Sequence, residues 1–209
     1  MSKKITTWLT AIAALVAVGS ARVDPYESAP NVGTDRLVRQ LGHRSFAKRE
    51  EASRDLATLG EPARAALTRA ATDPDPEIGR RARQLLEGLD ARALAAAAEK
   101  ELARWQGEWT GNGGQKFLVK GDRWAWGTAG TWTLDEQTAN RLLIVGVGEK
   151  LIHADLVVGD PANGGRVARA IFRLDGDTLH YCGTYASVRP TQFRTTSNEF
   201  YVAWKRVKK

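Results

Sequence analysis

The side chains able to do acid–base, nucleophilic or metal chemistry are few in this chain. Histidine occurs at His43, His153 and His180, and cysteine only at Cys182. None of the histidines has a partner at metal-ligand spacing, and no His-Glu-x-x-His run occurs. A single cysteine excludes an intrachain disulfide framework and a cysteine-based zinc cluster. His180-Tyr181-Cys182 reads as strand alternation, which puts His180 and Cys182 on one face. A lone buried thiol is the commoner explanation of such a pair than a thiol or metal site. The chain has no Gly-x-Ser-x-Gly elbow, no P-loop and no Gly-x-Gly-x-x-Gly fingerprint. Gly111-Asn112-Gly113-Gly114 is glycine-rich but joins two predicted strands, so it lacks the helix N-terminus a phosphate cradle needs. Paired carboxylates, as in glycosidases, occur at Asp175/Asp177 and Asp135-Glu136. Turn chemistry accounts for the first pair and a solvated loop for the second. The expectation is no catalytic residue, no metal and no cofactor.

Aromatic residues are the stronger signal. Six of the seven tryptophans fall in residues 105–209. Trp124 and Trp126 share a strand face at spacing two, and Trp132 lies on the next predicted strand. With Tyr181 they are the candidate lining of an apolar cavity or a sugar-stacking surface. The competing explanation is a packed core, because small barrels are filled by their own side chains and eight strands leave room for at most a small ligand.

The elements that would position these residues differ between the two halves. From Thr34 to about Arg104 the chain is alanine-rich and helical in period. Ala63, Ala66, Leu67, Ala70 and Ala71 make one stripe, and Ile78, Ala82, Leu85 and Leu89 another. Ser45 is placed to cap a helix starting at Phe46, Gly60 to end it, and Pro62 to sit in a following first turn. Asp73-Pro74-Asp75-Pro76 precedes a helix running to about Leu89, and a last helix is expected over Ala91 to Arg104. From Trp105 onward short apolar–polar alternations are separated by turn signals such as Lys120-Gly121-Asp122 and Asp175-Gly176-Asp177. About nine short strands in consecutive hairpins suggest a meander that closes on itself.

At the other end, Lys3 and Lys4 precede an uncharged stretch from Ile5 to Val18, followed by Gly19 and Ala21 as small residues before a cut. Residues 1–21 read as a signal peptide, too short in apolar run for a stable membrane span once cleaved. Arg22 to Gly33, with Pro25, Pro30 and no periodicity, reads as a linker. The formal charge of +7 is spread along the chain, and the densest basic spot, Lys205-Arg206-Val207-Lys208-Lys209, is most simply a solvated end. No nucleic-acid partner is expected.

Two family likenesses follow from these residues. Ala52, Leu56 and Leu59 recur as Ala82, Leu86 and Leu89, and with Asp75-Pro76-Glu77-Ile78 and Arg81-Ala82 this half resembles a HEAT-like helical repeat. In the second half, Trp105-Gln106-Gly107-Glu108-Trp109, Leu174-Asp175-Gly176-Asp177-Thr178-Leu179 with Cys182, Arg189-Pro190-Thr191-Gln192-Phe193 and Trp204-Lys205-Arg206 occur in that order. Together they resemble the small uncharacterised lipocalin-like domain found in exported planctomycete proteins. The resemblance implies a barrel and an exported protein, and it carries no reaction. Gly107-Glu108-Trp109 is similar to the Gly-x-Trp that opens lipocalin barrels, where the Trp plugs the closed end under a late basic residue. Arg206 or Lys205 would be that residue here. Arg189-Pro190 matches the third motif, and its expected role is structural.

The expected architecture is α+β: N-terminal α-helical HEAT-like hairpins over 34–104, then a C-terminal antiparallel lipocalin-like β-barrel over 105–209. The expected protein is exported, periplasmic or secreted, and binds a small apolar or amphipathic ligand noncovalently. The alternatives are a cell-envelope module that docks a protein partner through its helical segment and, more distantly, an envelope-sugar hydrolase.

Overall fold

The computed structural model describes residues 32–128, 140–159 and 165–208. The expected signal segment 1–21, most of the expected linker and the expected strand at Thr131–Leu134, Trp132 included, lie outside them. Four α-helices come first: α1 (Val32–Gln40), α2 (Phe46–Leu59), α3 (Arg64–Ala70) and α4 (Pro76–Trp105), with a 3-10 turn over Glu61–Ala63 leading into α3. Gly60 ends α2 at a φ of 69°, where a side chain would be strained, and its amide returns to the Leu56 carbonyl. Asp75 caps α4 by accepting from the amides of Glu77 and Ile78. Ser45 sits at the N-cap position of α2 without a side-chain cap bond. The stripe on α3 is buried: Ala63, Leu67 and Ala70 pack with Leu41, Ala52, Leu56, Ala82 and Leu89 in one core. Arg81 is buried beside it and donates to Glu77, Glu50 and Ser53, which is what allows its charge to leave water.

The structure differs from the sequence reading at Asp90. Two helices were expected around it, and α4 instead runs unbroken for 30 residues. The reason is local: Leu89-Asp90-Ala91-Arg92 contains no Pro or Gly, and the alanines of 91–98 propagate a helix already nucleated upstream. One helix therefore serves two cores. Ala82 and Leu89 belong to the helical core, while Trp105, at its last position, is buried in the next one.

Eight strands follow: β1 (Gly107–Thr110), β2 (Gln115–Lys120), β3 (Arg123–Thr128), β4 (Arg141–Val147), β5 (Ile152–Val158), β6 (Arg166–Asp175), β7 (Thr178–Thr184) and β8 (Phe200–Arg206). They form a closed antiparallel barrel in sequence order. Closure is made by β8 on β1, with Trp109 opposite Arg206 and Thr110 opposite Lys205. Tight turns at Gly121 and Gly176 take positive φ, as glycine permits. Closing the sheet leaves no free edge for another chain to extend. The helix end of the barrel carries α4 and the β2–β3, β4–β5 and β6–β7 turns. The loop end carries the β1–β2 turn and the long β7–β8 connection, residues 185–199. No helix among the described residues is long and apolar enough to cross a membrane.

Candidate functional site

Strand alternation decides which side chains enter the barrel. Trp109 of β1, Phe117 and Val119 of β2, Trp124 and Trp126 of β3, Leu179 and Tyr181 of β7 and Trp204 of β8 all belong to one interior cluster. The β4–β6 side of the barrel mixes small residues with large ones such as Leu142, Leu156 and Phe172. Ala154 of β5 pairs with Ala170 of β6, Ala168 lies opposite Leu156, and all of them are buried.

The helix end is closed by a compact plug. The Trp109 indole donates to the Trp105 carbonyl at 2.9 Å, and the Arg206 guanidinium lies 4.1 Å from the centre of the Trp109 ring. Arg206 also donates to the carbonyls of Gln106 and Arg104, which ties the last strand to the end of α4. Gly107 makes the bend between α4 and β1 at a φ of 108°. Trp105 lies 4.7 Å from the Phe172 ring and seals the base.

Towards the loop end the aromatics form a stack. Phe117 and Trp204 lie parallel at 4.6 Å, Trp126 meets Trp204 edge-on at 5.1 Å and Tyr181 edge-on at 5.8 Å, and Phe200 lies 5.3 Å from Tyr181. Two glycines make room for them. A side chain at Gly111 would meet the Trp204 indole, and one at Gly183 would overlap the Tyr181 hydroxyl. Burial pushes the Tyr181 hydroxyl to a pKa well above its ordinary value, so it stays protonated and a donor. The Trp204 indole N–H is buried with no acceptor among the described residues, and so is that of Trp105. Buried donors are normally paired, so each of these is an exception that calls for an explanation. Trp124, by contrast, donates to the Arg141 carbonyl. Trp126 and Phe200 are only half-buried. Phe200 also lines a groove of about 410 Å³ at the loop end, between Thr184–Ala186 and Thr195–Glu199, with Tyr185 exposed on its rim.

Of the sequence-derived lining residues, Trp124, Trp126 and Tyr181 stand together in this interior. Phe117, Phe200 and Trp204 join them without being among the sequence-derived lining residues, although the same alternation marks them as inward-facing. Arg189 and Pro190 are not part of that interior cluster, although Pro190 is buried. Arg189, in the β7–β8 connection, donates to the strand carbonyls of Ala154 and Ala170 and pairs with Asp155 at 2.5 Å, pinning that connection to the barrel wall. His180 and Cys182 also face outward. The His180 ring contacts the Tyr201 hydroxyl at 2.8 Å through Nδ1 and Asp175 at 3.3 Å through Nε2, and the Cys182 thiol donates to the Arg194 carbonyl. Burial, aided by Arg173, holds His180 below its ordinary pKa, and burial pushes the Cys182 thiol up, away from thiolate reactivity. Of the carboxylate pairs considered for catalysis, Asp175 pairs with Arg173 and Asp177 with Lys208, while Asp135-Glu136 lies outside the described residues. No group of three or more metal-ligating side chains comes together among the described residues. The chain matches no family model, no curated protein and no solved structure.

Proposed function

We propose that this chain is an exported binding protein that takes a small amphipathic ligand, noncovalently, at the loop end of its barrel. The observation that carries the reading is the Trp204 indole N–H, buried in an aromatic interior without an acceptor among the described residues. A ligand bearing a carbonyl, ether or hydroxyl oxygen would supply that acceptor, and its apolar part would lie against the half-buried Trp126 and Phe200. The closed eight-stranded meander and the Trp109–Arg206 plug support kinship with the lipocalin-like domain. Of the residues that recur at a shift of 30, Ala52 and Ala82 are both fully buried, whereas Leu59 is exposed where Leu89 is buried, so the HEAT-like pairing rests on the sequence likeness and on the Ala52–Ala82 match alone. No catalytic step belongs to this reading.

Native mass spectrometry of protein exported from a bacterial host tests it. The expected result is a chain beginning at Arg22 with a discrete noncovalent mass that leaves on gentle activation. The adduct is expected to be diminished in Trp204→Phe, which keeps the ring and removes the donor. A bare chain mass, together with an unchanged ultraviolet absorption of the tryptophans on extraction with organic solvent, would assign the aromatics to a packed core instead.

A further inference from the structure

A second recess lies far from the barrel, between α2 and α4. It holds about 340 Å³ and is lined along α4 by Arg80, Arg81, Leu85, Gly88, Leu89 and Arg92. The residues from Arg80 to Arg92 span three turns of helix, about 18 Å, which matches about five residues of extended chain. Its floor is apolar, from Leu85 and Leu89, and its rim is cationic. Arg80 and Arg81 share Glu77, and Arg81 also reaches Glu50. Arg92 donates to the Ala57 carbonyl, and among the described residues no carboxylate pairs with it. Positive charge therefore exceeds negative charge along the recess, and the excess sits at the Arg92 end.

Gly88 supplies an independent observation. Glycine within a helix costs about 1 kcal/mol relative to alanine, so its presence there needs a reason. Gly79 on the same helix is buried, and a side chain there would lie against its neighbours, 3.4 Å from the Ala71 carbonyl and 3.3 Å from the Arg83 guanidinium. Gly88 has no such neighbours: nothing lies within 4 Å of where its side chain would be. What its bare backbone does is keep the middle of the recess clear.

We infer that the α2–α4 recess docks an extended acidic segment of a partner protein, with an apolar side chain laid over Gly88 and a carboxylate received by Arg92. The planar guanidinium fork suits a carboxylate, and peptide length matches the recess better than a compact metabolite would. The inference is independent of the barrel reading, since no residue is shared.

The test is to pan a random dodecapeptide library against the full chain and to titrate the enriched peptides, fluorescein-labelled, by anisotropy. The expected result is enrichment of sequences with Asp or Glu flanking a Leu, Ile or Phe. Their affinity should fall by about tenfold or more in both Arg92→Glu and Gly88→Leu. Gly88 and Arg92 are exposed, and Leu and Glu are good helix formers, so both variants should keep the circular dichroism of the parent. Arg92→Gln, which removes charge without reversing it, should give an intermediate loss. No enrichment, enrichment of sequences without carboxylates, or binding indifferent to Gly88→Leu would each overturn the inference.

Discussion

The hydroxyl of Tyr181 occupies the space that a side chain on Gly183 would need. The two residues face the same way on β7, two positions apart, and the tyrosine can lie along the barrel wall only because residue 183 has no Cβ. Gly183→Ala should therefore destabilise the barrel by about 3 kcal/mol through overpacking. Tyr181→Leu added to that variant should restore part of the loss, giving a favourable coupling in a double-mutant cycle. Urea unfolding followed by tryptophan fluorescence measures both.

Arg206→Ala should cost about 2 kcal/mol. It removes the guanidinium over Trp109 and leaves the Gln106 and Arg104 carbonyls without their donor. Arg206→Lys should recover less than half, since an ammonium cannot cover the ring and bond both carbonyls in the same plane. Thermal melts of the three proteins decide the order.

Removing Arg189 should free the connection it pins. The side chain bridges Ala154, Ala170 and Asp155 at once. Arg189→Ala should lower stability by about 2–3 kcal/mol, and the amides of 185–199 should lose hydrogen-exchange protection first. If the loss of protection is uniform over the barrel, the clamp is not local.

His180 sets a pH dependence of known direction. Burial, then Arg173 and Lys205, depress its folded pKa below the ordinary 6.5, with Asp175 opposing. The unfolded chain then binds the proton more readily than the folded one. Stability from this residue is complete above that ordinary value and is lost as the pH falls towards the folded one. Melting temperature should fall more between pH 7 and pH 5 in the parent than in His180→Gln. Equal slopes would place the acid sensitivity elsewhere.

Gly88→Ala should raise stability by about 0.5–1 kcal/mol, since the new methyl meets open space and the helix gains propensity. The urea midpoint should rise with an unchanged slope.

The repeating local rules were the legible part of this fold. Alternation around Trp124 and Trp126 and the glycine turns at Gly121 and Gly176 suffice to suggest a meander, and the three-and-four spacing of Ala63 to Ala71 suffices for α3. What alternation does not show is which large residue stands opposite which small one. That Ala154 stands opposite Ala170, and Ala168 opposite Leu156, is a matter of the register between β5 and β6, which alternation along one strand does not set. The same limit applies to Gly88 and Gly183. As letters they are alike, yet one opens a surface recess and the other makes space for a neighbouring ring. The extent of α4 is not legible for the opposite reason: no strong signal stands at Asp90, and a weak one there suggests a break that the helix does not make.

The pairing of β1 with β8 also has a consequence for biosynthesis. Trp109 and Arg206 are brought together across almost the whole second half of the chain, and the guanidinium reaches a carbonyl 100 residues away. Until β8 has left the ribosome the sheet has two open edges and an uncovered aromatic face, and neither can be protected by any segment made earlier. The helical half needs no such wait, because its contacts are local. Nascent chains should thus pass through a state with folded helices and an open sheet, and that interval is when a chaperone would find the barrel segment still extended.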